Sequence, residues 1–104
     1  MFEIDDAVVL LAKAKVLIEH GWCQGSFAKN SKGIGVSALD PSATCFCLTG
    51  AMLRIDRGQF SKTYGRAYRV LGYSLATWND DPGRTQREVI ARIEKGINDL
   101  SPMC

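Results

Sequence analysis

From Asp5 to His20 the chain repeats apolar residues at helical spacing and is hardly interrupted. Ala7, Val8, Leu11, Ala14 and Ile18 fall on one side, and Val9, Leu10, Val16 and Leu17 widen it on the flanks. Only Asp6, Lys13, Lys15, Glu19 and His20 break the pattern. A helix resting on a domain surface needs an apolar stripe little more than ~100° wide. This one is wider, so the helix must be central in the fold or covered by a second subunit. It is expected from about Ile4 to Glu19, with Asp5 or Asp6 as its cap and Gly21 just past its end.

Three further helices follow from the same signals. Asp40-Pro41 reads as an N-cap with proline at the first helical position, which predicts a second helix to about Ile55. Its Ala43, Cys47, Gly50 and Ala51 face holds only small side chains, so another helix backbone can approach it closely. Phe46, Leu48, Met52 and Leu53 carry its larger apolar volume. Asp56-Arg57-Gly58 interrupts the chain before a third helix from about Ser61 to Thr77, where Tyr64, Ala67, Tyr68, Leu71, Leu75 and Trp78 recur at helical spacing. The last helix, Thr85 to Asp99, turns Val89, Ile90, Ile93, Ile97 and Leu100 inward. Trp22 to Leu39, with Gly25, Gly33 and Gly35 among polar residues, reads as a structured loop with a short extended piece at Gly33 to Leu39. The expected fold is all-α: residues 1–104 form a single domain, a compact bundle of about four helices with a Gly-rich loop between the first two.

Composition narrows the function classes. A chain of 104 residues can build one core without a metal or disulfide staple. A net charge of +2 does not by itself point to nucleic acid or a membrane surface. The apolar run Ala7 to Ala12 follows three carboxylates and is too short for a membrane helix of ~20 residues or for a secretory signal. The expectation is a cytoplasmic protein with its four cysteines reduced.

The most closely specified stretch is Trp78-Asn79-Asp80-Asp81-Pro82-Gly83-Arg84-Thr85-Gln86-Arg87-Glu88. Thr85 and Glu88 have capping-box spacing, and Asp81-Pro82-Gly83 has turn chemistry. Together with Gly21-Trp22-Cys23-Gln24-Gly25 and Cys47-Leu48-Thr49-Gly50-Ala51, this stretch resembles an uncharacterised family of small bacterial and phage proteins, classed as a domain of unknown function. The resemblance spans nearly the whole chain. It implies one small domain and carries over no activity, cofactor or catalytic residue.

Four groups of residues remain as candidates. Trp22, Gln24, Trp78, Asn79, Asp80 and Arg84 form a polar pocket for a small ligand if the Gly-rich loop folds against the turn; otherwise they pair with one another as structure. Cys47 as nucleophile with His20 as base is a thiol-enzyme reading, set against a buried structural thiol two turns into the second helix and a histidine complementing a helix dipole. Cys23, Cys45 and Cys47 with His20 suggest zinc, but Cys45 and Cys47 on one helix point about 200° apart, so no metal site is assigned. Arg57, Lys62, Arg66 and Arg69, extended by Arg54, make a basic strip that could meet nucleic-acid phosphates, but no reader motif accompanies it and a solvated helix face is the favoured reading.

The sequence therefore reads as a small cytoplasmic helical binding or interaction protein that self-associates through the first helix and uses no cofactor. Catalysis is disfavoured, a protein partner is accommodated, and nucleic acid and membranes are not expected partners. A ligand-binding protein or thiol enzyme, and a nucleic-acid accessory protein, stand as the alternatives.

Overall fold

The computed structural model describes residues 5–101. Helix α1 spans Asp6–His20 and is capped by Asp5, whose carboxylate accepts from the Ala7 amide at 2.9 Å. Ile4, the expected first residue, lies outside the described residues. Ala7, Leu10, Leu11, Ala14 and Ile18 are buried, and the helix packs against every other large element of the fold. This central position accounts for most of its apolar surface, while Val8 and Val9 stay half-buried and Val16 is exposed.

The all-α expectation fails over the middle of the chain. Strands β1 (Ala28–Asn30), β2 (Gly35–Val36) and β3 (Ala43–Phe46) form an antiparallel sheet in the order β2-β1-β3, so the fold is mixed α/β. Ala28 sits opposite Val36 on one side and Phe46 on the other. Asp40 does start a turn, its carboxylate accepting from the Ser42 amide and its carbonyl from the Ala43 amide, but no helix follows. The backbone groups of residues 43–46 bond across to β1 instead, a non-local partnership that outweighs the local start signal.

Helix α2 is accordingly short, Leu48–Asp56, and Cys47 is its N-cap, with Sγ accepting from the Gly50 amide at 3.2 Å. The small-residue face dissolves, because Ala43 stands in a strand. Gly50 still serves a close approach, to a loop rather than a helix: a Cβ there would meet the Phe27 carbonyl oxygen at 1.8 Å. The Cys47 amide donates to that same carbonyl at 3.0 Å, which pins the Phe27 segment onto the first turn of α2.

The expected third helix is two. Helix α3 runs Lys62–Leu71 behind a Ser61 cap and stops at Gly72, whose φ of 102° a side chain would strain. Helix α4, Leu75–Asn79, is set off from it by Gly72, Tyr73 and Ser74. Helix α5, Gln86–Leu100, begins at the full Thr85–Glu88 capping box and lies along α1. Among the described residues no helix is long and apolar enough to cross a membrane.

Candidate functional site

Trp22, Gln24, Trp78, Asn79, Asp80 and Arg84 are brought together at the junction of α4, the α4–α5 turn and the strand-like segment before β1. Asn79 is fully buried and fills its bonding capacity. Its Oδ1 accepts from Trp22 Nε1 at 2.8 Å and from the Leu48 amide at 3.1 Å. Its Nδ2 donates to the Cys23 carbonyl at 3.2 Å and to Asp80 Oδ1 at 2.9 Å. Gln24 Nε2 donates to the carbonyls of Asn79 and Asp81, both at 2.9 Å, and the Gly25 amide donates to Asp80 at 3.1 Å.

Arg84 belongs to the other side of the turn. Its Nε donates to the Trp78 carbonyl at 2.9 Å, its guanidinium lies 4.1 Å from the Trp78 ring centre, and it pairs with Glu88 at 3.2 Å. Arg92 also lies over the Trp78 ring, at 4.5 Å. Thr85 bonds hold the Glu88 carboxyl below the usual carboxylate range, with Arg84 adding to the effect. Every polar side chain of this cluster has a partner within the chain.

An open cleft of about 600 Å³ lies beside it, lined by Phe27, Thr49, Phe60, Tyr64, Gly65, Tyr68, Arg69 and Ala76 among others. The wall is aromatic: the Phe60 and Tyr64 rings meet edge to face at 5.6 Å, and Tyr64 and Tyr68 are 6.0 Å apart. Phe60 is 72% exposed and holds a φ of 49°, a left-handed conformation costly for a bulky residue. Thr49, only 8% exposed, has a buried hydroxyl with no hydrogen-bond partner among the described residues. Gly65 stands inside α3, where glycine is unfavourable, yet a Cβ there would meet nothing within 4 Å. A smaller hollow of about 210 Å³ adjoins the cleft, sharing Phe27 and Ala76 and adding Gly25, Ser26, Cys47 and Asp80.

Of these cleft residues Arg69 is a candidate site residue in the sequence, while Tyr64 and Tyr68 stand out there only as apolar positions of a helix. Gly65 was the available signal, a glycine within a regular apolar repeat and away from any turn. Thr49 and Phe27 have no such mark, since their juxtaposition depends on the unexpected sheet.

The thiols are placed differently from expectation. Cys47 is buried at the α2 N-cap, and burial pushes its thiol up despite the Gly50 amide that favours the anion. Cys23 is pushed up to about 12, first by burial and then by its hydrogen bond with Cys45. Cys45 stands in β3, not on a helix. His20 is exposed in the last turn of α1, and no cluster of three or more His, Cys, Asp or Glu able to hold a metal occurs among the described residues.

The basic strip is divided. Arg54 donates to the carbonyls of Ala38 and Asp40, both at 2.9 Å, and ties the loop before β3 to α2. Arg66 pairs with Asp5 at 2.6 Å and holds that carboxyl low. Arg57 forms the α2 C-cap, with a φ of 58°. Lys62 and Arg69 are exposed on α3, and Arg69 alone of the strip borders the cleft.

Neither a curated protein nor a solved structure matches this chain. The model of a family of unknown function, DUF6197, matches residues 1–99, and the chain belongs to that family.

Proposed function

We propose that this protein acts by binding, and that its ligand seats a planar apolar group in the aromatic cleft between α2, α3 and the Phe27 segment. The observation that carries this reading is the Thr49 hydroxyl, buried at the cleft without a partner. A buried hydroxyl left unsatisfied costs about 1–3 kcal/mol, so an isolated fold has reason to lose it unless something external uses it. Gly65 supports the same reading, because its missing side chain destabilises α3 and leaves room that no other residue fills.

In this view the Trp22, Gln24, Asn79, Asp80 cluster is a frame. Apart from Oδ2 of the exposed Asp80, its polar groups are consumed internally, and they fix Gly25 and α4 beside the cleft. Catalysis has little support, since burial of Cys47 disfavours its thiolate. The setting we infer is the cytoplasm of a bacterium or phage-infected cell, with a small molecule or a partner protein's side chain as ligand. Association of two copies through α1 keeps support only from Val8, Val9 and Val16, the last 48% exposed. Sedimentation at micromolar concentration tests that: a dimer dissociated by Val16→Lys supports it, and a monomer ends it.

The binding reading is tested by titrating the isotope-labelled protein with indole and following backbone amide resonances. Saturable shifts at Thr49, Gly65 and Ala76, abolished in a folded Gly65→Leu variant, are expected. Shifts absent from those positions at millimolar indole would overturn the reading.

A further inference from the structure

We infer that the cleft takes a nucleotide unit, with a planar base against the aromatic wall and a phosphate at Arg69. The inference rests on the cleft being a binding site and adds the ligand's chemistry. Phe27, Tyr64, Tyr68 and Phe60 supply ring surface, which any base can stack against or edge into. The polar groups then decide among planar ligands.

Helix α3 carries Lys62, Arg66 and Arg69 and no carboxylate, and of the three Arg69 borders the cleft and gives its rim a cation. Arg66 is committed to Asp5, whereas Arg69 reaches only the carbonyl of Gly65, at a long 3.4 Å from Nε. Its guanidinium therefore retains donors for an anion, and a phosphate matches that fork. The other end has the opposite character. The adjoining hollow carries the exposed Asp80 carboxylate, whose Oδ1 is taken by the Gly25 amide and Asn79 but whose Oδ2 is left as an acceptor for an exocyclic amine or a sugar hydroxyl. Thr49 lines the same cleft as Arg69, and its partnerless hydroxyl, buried behind the wall, can pair with a base edge once a seated ligand displaces that cover. A purely apolar ligand would leave all three groups unused, and a simple anion would leave the rings unused. A nucleotide unit offers an anion at one end, donors at the other and a ring between them. It can come as a free mononucleotide or as one residue of a single strand.

The test titrates the full chain with indole, adenosine, AMP, inorganic phosphate and a single-stranded oligoadenylate, following the Thr49 and Gly65 amides. AMP is expected to bind roughly tenfold tighter than adenosine, an advantage that Arg69→Gln removes. Oligoadenylate binding tighter than AMP with a steep salt dependence assigns the strand as source; weaker or equal binding assigns the free nucleotide. AMP and adenosine binding alike, or phosphate alone competing as well as AMP, would overturn the nucleotide assignment. Indole shifting the cleft while AMP and adenosine do not would also overturn it and leave the cleft as an aromatic site. Failure of indole as well would remove both readings.

Discussion

Replacing Asn79 by Ala tests whether the polar cluster is the frame of the fold. The substitution removes two acceptor contacts, from Trp22 Nε1 and the Leu48 amide, and two donor contacts, to the Cys23 carbonyl and Asp80. Asp80 is exposed and recovers water, and the half-buried Trp22 indole recovers it in part. The Leu48 amide and Cys23 carbonyl belong to buried residues, so two groups are orphaned outright. At about 1–3 kcal/mol for each orphan, with a cavity in place of the amide, the expected loss is about 3–5 kcal/mol. A domain of this length holds on the order of 5–15 kcal/mol, so the variant should be marginal. Urea unfolding followed by tryptophan fluorescence, with both proteins fitted for midpoint and slope, measures the difference. Asn79→Asp should also be destabilised, because the new carboxylate cannot donate to Cys23 and faces Asp80. A loss below about 1 kcal/mol for Asn79→Ala would refute the reasoning, since no accounting of two buried orphans allows it.

Other substitutions probe the cleft and the caps. Thr49→Val keeps the shape and deletes the orphan hydroxyl, so it should stabilise the unliganded protein by about 1–2 kcal/mol, read as a rise in Tm of several degrees by calorimetry. Gly65→Ala should add up to ~1 kcal/mol in urea unfolding while weakening indole binding, because helix propensity improves as the cleft floor fills. Thr85→Ala should cost about 1 kcal/mol in the same assay through loss of the α5 cap. Glu88 has a folded pKa below its ordinary value of 4.5, so its stabilising contribution is present above about that pH and lost as pH falls through the lower folded value. Acid unfolding of Glu88→Gln should therefore lack part of the wild-type pH dependence.

The ends of the molecule were legible in the sequence because their signals are local. Asp5, Thr85 and Glu88 each satisfy amides within four residues, and α1 and α5 carry unbroken apolar repeats. The middle was not legible, because its determinants are distant. β3 exists because Cys45 and Phe46 pair with Lys29 and Ala28, and no pattern within residues 40–47 announces that. Cys47 as an N-cap escapes the usual Ser, Thr, Asp, Asn preference. Gly72 did offer a warning that α3 ends, which the continuing repeat at Leu75 and Trp78 concealed. Of the candidate residues, the sequence grouped the frame correctly as neighbours, yet the cleft depends on the sheet and so was visible only through Arg69.

The two tryptophans make the frame spectroscopically divisible. Trp22 donates its indole proton to Asn79 across 57 residues of chain, whereas Trp78 lies under the guanidinium groups of Arg84 and Arg92 from the turn and α5. One chromophore therefore senses the docking of the sheet segment, and the other senses the seating of the last helix. With each in turn replaced by phenylalanine, stopped-flow refolding can time these two events separately. Coincident traces would mark a single cooperative unit; an earlier Trp78 signal would show that the helices assemble before the β-layer closes over them.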